Sequence, residues 1–286
     1  MSGSINLSAP SYLPALLGSS SPGSSLLATL YGYAGPAAGT VNPIAALTQA
    51  QTGETKQVAL IAAEPQIKRD IAQFTQALAT AKTPAQLLAN PAALKVLLTA
   101  NGLGDQVSNT ALATQAMLAD PSQPNSLVNQ LTDSRWMTAN KLYNFATKGL
   151  SVLNTPTSIA AITNGYAEVL WRTGLDQTTP GLSNALDFLQ RAKTITNVDQ
   201  VLGDPTFRAV LTTTLGVPQT IAFQDLTAQE HAISSRIDLT KFKDPAYVTQ
   251  FTQQYLIAAQ QAAALTSGAA PADLTTLAVQ SAGLVV

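Results

Sequence analysis

One histidine, His231, is the only imidazole in the 286-residue chain, and cysteine is absent. A Ser-His-Asp triad, a thiolate nucleophile or a His/Cys zinc site therefore has almost nothing to be built from. His231 lies in the stretch Gln229, Glu230, His231, Ala232, which reads as helix and carries no nucleophile beside it. Paired carboxylates could do general acid–base work. The candidates Asp187, Asp199 and Asp204 are scattered, and Asp204 precedes Pro205 as a helix cap would. Phosphate cradles are missing too, since neither GxxxxGK[ST] nor GxGxxG occurs. Gly102, Leu103 and Gly104 supply a fragment of the latter, but the third glycine is lacking and helix, not strand, precedes it. The nucleophile elbow GxSxG is absent as well. These residues predict no catalytic site, no metal site and no cofactor.

The remaining charges have a plainer use. Only 11% of the chain is charged, with 15 basic and 16 acidic side chains and a net charge of -1, against roughly 25% charged in an average soluble protein. That balance gives no electrostatic case for nucleic acid, whose phosphates demand a basic surface. Glu168 with Arg172, and Asp187 with Arg191, stand at i, i+4, where helix neighbours touch. With charges so scarce, a partly buried Arg191 could also bridge helices. Trp136, Tyr143, Trp171, Phe188 and Phe207 fall at inward helical positions and read as core.

The elements that position these groups are helices. Ile67, Ile71, Phe74 and Leu78 form one apolar stripe. Thr83-Pro84 and Asn90-Pro91 are cap-plus-proline starts, so two short helices meet at a corner. Leu94, Leu97 and Leu98 face inward on the second, which should stop near Gly102. Asp133 caps a helix carrying Trp136, Tyr143 and Phe145. Another helix runs from Pro156 to Gly174, a further one opens at Pro180-Gly181, and the last long one starts at Asp244-Pro245. Strand patterns are scarce. The fold class expected is all-α, a multi-helix elongated or bundle-like body. No stretch approaches the roughly 18 apolar residues of a membrane span.

An echo recurs 114 residues apart. TPAQLLANPAALKVLLTANGL (Thr83 to Leu103) matches NVDQVLGDPTFRAVLTTTLGV (Asn197 to Val217) without a gap, pairing Gln86 with Gln200, Leu88 with Leu202, Pro91 with Pro205, Val96 with Val210, Leu97 with Leu211 and Gly102 with Gly216. This is either a duplicated helix-corner-helix unit or the chance likeness of two short helix pairs. Duplication predicts both prolines in a first turn, both glycines just past a helix end, and Leu88 and Leu202 buried beneath the corners.

The expected organisation is a mobile Ser/Gly/Pro-rich arm over 1–41, a helical domain over 42–242 with related halves of about 60–150 and 151–242, and a C-terminal helix and tail over 243–286. No charged residue precedes Glu54, and the first basic residue is Lys56; a cleaved secretory signal, which needs a basic flank, is not expected. Within the arm, Leu26, Leu27, Leu30 and Tyr31 carry enough apolar surface to dock. Tyr247, Val248, Phe251, Tyr255 and Leu256 make a matching stripe on the last helix. Both groups are expected either to form an assembly surface, touching each other or a partner, or to pack on the chain's own core.

Three stretches carry a family resemblance: DIAQF (Asp70 to Phe74) with TPAQLLANPAALKVLLTANGLGD (Thr83 to Asp105); ADPSQPNSLVNQLTDSRWMTANKLYNF (Ala119 to Phe145); and GYAEVLW (Gly165 to Trp171) through ALDFLQRAKTIT (Ala185 to Thr196) to LGDPTFRAVLTTTLGVP (Leu202 to Pro218). In order and spacing they resemble a domain family of unknown function found in alphaproteobacteria and often encoded within flagellar gene clusters. The likeness spans roughly residues 60 to 240 and departs from the family at Asn101 and Leu186. It brings no catalytic residues with it.

The resemblance implies a flagellum-associated protein. A Cys-free, Ala- and Gln-rich chain with an uncharged N-terminal segment also looks like an axial protein exported without a cleaved signal. The function expected is non-enzymatic, structural or interaction-based, at the flagellum or outside the cell; the alternative is a cytoplasmic flagellar assembly adaptor or chaperone. Expected partners are a flagellar axial or assembly component, or a second copy of the chain; nucleic acid and a membrane span are not expected.

Overall fold

Proline opens most of the long helices. Pro43, Pro65, Pro84, Pro91, Pro156, Pro205 and Pro245 each stand at the first helical position, where the missing N–H would have no helical partner and the fixed φ suits the first turn. A computed structural model describes residues 42–267. The arm over 1–41, with Leu26, Leu27, Leu30 and Tyr31, and the tail beyond residue 267 lie outside the described residues.

Among the described residues there is no strand, and the chain is all-α. In order come α1 (Pro43–Ala62), α2 (Pro65–Thr80), α3 (Pro84–Leu88), α4 (Pro91–Ala100), α5 (Thr110–Leu118), α6 (Leu127–Gln130), α7 (Ser134–Tyr143), α8 (Phe145–Lys148), α9 (Pro156–Leu175), α10 (Leu182–Arg191), α11 (Val198–Gly203), α12 (Pro205–Thr214), α13 (Leu226–Ser234) and α14 (Pro245–Ser267). α9 packs along α4 and α1, while α2 lies on α4. Gly165 allows the close approach of α9: a Cβ there would stand 3.2 Å from the Ala100 carbonyl oxygen. α10, α12 and α14 pack together, and α1 reaches α9, α10 and α14. The second group is aromatic, with the Phe188 ring 6.1 Å from Phe207, 5.3 Å from Phe242 and 5.8 Å from Phe251.

The two corners are built alike, bond by bond. Thr83 accepts the Gln86 amide at 3.2 Å, and Asn197 accepts the Gln200 amide at 2.9 Å. Each glutamine reaches back, Gln86 Oε1 accepting from the Lys82 N–H at 2.8 Å and Gln200 Oε1 from the Thr196 N–H at 2.9 Å. That is a reciprocal cap at both sites. Asn90 accepts the amides of Ala92 and Ala93, as Asp204 accepts those of Thr206 and Phe207. At the exits, Gly102 has φ 71° and Gly216 φ 61°. There the Leu103 N–H donates to Leu98 and the Val217 N–H to Thr212, both at 2.8 Å. This glycine-terminated exit satisfies carbonyls that the helix end leaves open.

The likeness extends past the corners. Phe74 and Phe188, 114 positions apart, are both fully buried. One turn before each, the Tyr166 hydroxyl donates to Asp70 at 2.6 Å and the Asn184 amide donates to the Tyr255 hydroxyl at 3.2 Å. Tyr166 lies ten residues after Pro156, and Tyr255 ten after Pro245. Each half is thus a helix with a buried phenylalanine, a capped corner and a closing helix with a buried tyrosine. α5 and α13 lie against the first helix of their respective corners.

Two expectations need correction. Leu88 is buried under its corner, but Leu202 is only half-buried; Val201, the counterpart of Leu87, fills that place. The helix capped by Asp133 stops at Tyr143, because Asn144 takes φ 46° and breaks it. Phe145 then opens α8 with its ring stacked 5.3 Å from Tyr143.

Candidate functional site

The ionisable groups of the interior sit at helix junctions. In the first half, Asp70 of α2 is buried and accepts from Tyr166 of α9, from Lys95 of α4 at 2.8 Å and from Gln66 at 3.0 Å. Burial pushes the Asp70 carboxyl up, but the hydrogen bonds from Lys95 and Tyr166 and the lysine charge outweigh it and hold the group below 3.8. Burial and the neighbouring carboxylate push the Tyr166 hydroxyl up to about 12. One carboxylate thereby ties three helices.

Three arginines do similar work. Arg135 at the start of α7 donates to Asp133 at 2.7 Å, to Asp105 at 2.9 Å and to the Gly102 carbonyl at the exit of α4. Arg172 of α9 is buried, pairs with Glu168 one turn away, and reaches Glu54 of α1 at 3.0 Å and Gln190 of α10 at 3.1 Å. Burial and the nearby Glu54 push the Glu168 carboxyl up despite the Arg172 charge. Arg191 of α10 pairs with Asp187 and crosses to Asp204, the fully buried cap of α12, at 2.5 Å. Its guanidinium also lies 4.5 Å from the centre of the Phe207 ring. The helix-bridging Arg191 foreseen in the sequence is present.

Asp187 and Asp204, scattered in sequence, are brought together by Arg191; Asp199 is not part of that cluster. It lies at the surface, where its carboxylate pushes the neighbouring Glu230 carboxyl up. His231 is exposed on α13. Among the described residues no group of His, Cys, Asp and Glu could hold a metal ion.

The stripe on the last helix is not a free surface. Val248, Phe251, Tyr255 and Leu256 are buried against the chain's own helices, and Tyr247 is half-buried with its ring 6.1 Å from Phe251. The tyrosine hydroxyl of residue 255 closes over Gly181, where a Cβ would stand 2.8 Å from it. An apolar stripe requires cover, and here α10 and α12 supply it.

Apolar surface is left elsewhere. Phe223 closes a short 3-10 turn over Gln219–Phe223 and is 90% exposed, with Leu226 at the start of α13 57% exposed. On the first half, the α3–α4 corner and α5 enclose an open groove of about 520 Å³ lined by Leu88, Ala89, Pro91, Leu94, Ala111 and Thr114 among others. Phe223 has no signature in the sequence, because a lone phenylalanine between Ala222 and Gln224 has no periodicity. The links from Asp70 to Lys95 and Tyr166, and from Arg135 to Asp105, have no sequence signature because the partners lie 25 to 96 residues apart.

Residues 100–248, just over half the chain, match the family described as a protein of unknown function (DUF1217). The chain belongs to that family. The match starts later than the resemblance at residues 60 to 240 and ends later, so Asp70 and Lys95 precede the DUF1217 region while Phe223 and Leu226 fall inside it. The fold is similar to the crystal structure of protein AGR_C_984 from Agrobacterium tumefaciens, with a TM-score of 0.64, 20% identity, and coverage of 78% of this chain and 96% of that one. No curated protein matches in sequence. Among the described residues no helix is long and apolar enough to cross a membrane.

Proposed function

We propose that this DUF1217 protein is a non-enzymatic interaction component associated with the bacterial flagellum. The observation that carries the interaction role is the exposed Phe223 with Leu226 beside it. A large aromatic held in water on a short 3-10 turn is the kind of anchor that dominates protein–protein contacts once covered. The buried charges support the same reading, since Asp70, Arg135, Arg172 and Arg191 are occupied in holding helices together. The flagellar assignment rests on the family resemblance.

Deletion of the gene in a flagellated host should impair swimming, and the protein should appear in hook or filament preparations. Normal motility of the deletion strain would overturn the flagellar role. Protein confined to the cytosol, bound to an unassembled flagellar subunit, would select a cytoplasmic adaptor in place of an exported component.

A further inference from the structure

We propose that Glu54, Glu168 and Arg172 form a pH-sensitive latch, which holds α1 to α9 more tightly in mild acid than at neutral pH. The two carboxylates meet at a single nitrogen. Arg172 Nη2 donates to Glu54 Oε1 at 3.0 Å and also to Glu168 Oε1, while Nη1 donates to Gln190 at 3.1 Å. The buried Nε has no partner among the described residues, so neither acid has the paired grip of a bidentate arginine. Two like charges confined to one site cannot both ionise freely, and one of them keeps its proton to higher pH. Burial, with Glu54 beside it, raises the Glu168 carboxyl above its ordinary 4.5 even though Arg172 and Gln190 oppose the shift.

The middle of α1 has little else to hold it. Pro43, Ala46, Leu47 and Ala50 are buried near its start and Ile61 at its end, but from Gln51 to Leu60 no residue is buried. Among the described residues Glu54 makes the only salt bridge from α1 to another helix, and Gly53 beside it weakens the helix there. Other charges on the surrounding helices are engaged or exposed. α14 carries none between Pro245 and Ser267. On α10, Asp187 and Arg191 pair with each other; on α2 and α4, Asp70 and Lys95 do the same. Lys56 of α1 and Lys68 and Arg69 of α2 are exposed. A carboxyl raised by folding favours the folded state when protonated. The latch therefore contributes fully below pH 4.5 and weakens as pH rises through the raised Glu168 value. With one proton on the pair, a single carboxylate faces the guanidinium. With both acids ionised, their repulsion loosens α1 from the faces of α9, α10 and α14 that it covers.

Amide exchange of the full chain, followed by mass spectrometry, tests the latch, with protection expressed against the unprotected rate at each pH. Protection of α1 peptides should rise by at least about threefold from about pH 7.5 to about pH 5. Peptides from α4, whose Val96, Leu97 and Leu98 are fully buried, should be better protected than α1 at neutral pH, because α1 opens alone. Glu168→Gln keeps an acceptor for Arg172 and cannot ionise. Its α1 should be as protected at neutral pH as that of the unaltered protein in acid, with no further response to pH. Glu54→Gln removes the other carboxylate and should abolish the response in the same way, which keeps the test open if one of the two variants fails to fold. Equal protection of α1 and α4 at every pH would show that α1 leaves only with the whole fold, and would overturn the latch. A pH response that persists unchanged in the glutamine variants would overturn it too.

Discussion

The Tyr166 hydroxyl and Asp70 are joined across 2.6 Å, although 96 residues separate them in sequence. Lys95 shares the same carboxylate oxygen. Folding holds the Asp70 carboxyl below its ordinary 3.8, so the network stabilises the fold above that value and loses its contribution as pH falls through the lower folded value. Asp70→Ala leaves the buried tyrosine hydroxyl without its acceptor and should cost about 1–3 kcal/mol at neutral pH. Thermal melts of the two proteins should converge as the pH is lowered through the carboxylate range. A difference that stays constant down to acid would remove the ionised carboxylate from the account.

At the alkaline end the sign reverses. Burial pushes the Tyr143 and Tyr166 hydroxyls up to about 12 from 10.0. Their neutral forms are favoured by the fold, so this stability is complete below 10.0 and is lost as pH rises toward about 12. Tyrosinate absorbance should therefore rise in two phases, the second coinciding with loss of helical circular dichroism. Tyr143→Phe should shrink the second phase; a single smooth titration near 10 would show that neither hydroxyl is protected.

Gly203 and Ala89 occupy matching positions and should respond in opposite ways to similar changes. Gly203→Ala drives a methyl into the Thr132–Asp133 backbone, which cannot yield as a flexible side chain would. It should cost about 2–3 kcal/mol, at the upper part of the range for overpacking. Ala89→Gly, on an exposed residue at a helix end, should change stability by less than about 1 kcal/mol. Denaturant melts of both variants check the pair, and a neutral Gly203→Ala would mean that the two halves of the chain can slide apart at that contact.

What the sequence disclosed was what depends on neighbours within a few positions. Asn90 with Pro91, Asp204 with Pro205, and the glycines at 102 and 216 are local devices, and the folded chain uses each as such. The tyrosine that closes each half was hidden because the inner helices repeat at 114 residues while the closing helices repeat at 89, the linkers between them differing in length. The Val248, Phe251, Tyr255 and Leu256 stripe was legible as a covered face. Periodicity states that a face is covered and is silent on what covers it, so a stripe that fits an assembly surface or the chain's own core equally well is in the fold part of that core. Phe223 escaped for the opposite reason: exposure is a property of the whole fold, and one side chain has no period.

The last expectation separates two jobs held by Asp204. Its Oδ1 caps α12 by accepting two backbone amides, and its carboxylate also takes Arg191 while fully buried. Asn90 does the first job alone in the other half. Asn90→Ala should therefore cost about 1 kcal/mol, the ordinary value of a lost cap. Asp204→Ala removes the cap and strands a guanidinium that Asp187 only partly satisfies, and should cost about 3–5 kcal/mol. Asp204→Asn keeps the cap and withdraws only the charge, so it should fall between them. Arg191→Met tests the pair from the other side: with the arginine gone, Asp204→Asn should lose most of its penalty, because the asparagine cap no longer faces an unpaired cation. A double-mutant cycle from chemical denaturation measures this, and additive costs in the cycle would show that Arg191 and Asp204 stabilise the fold independently of each other.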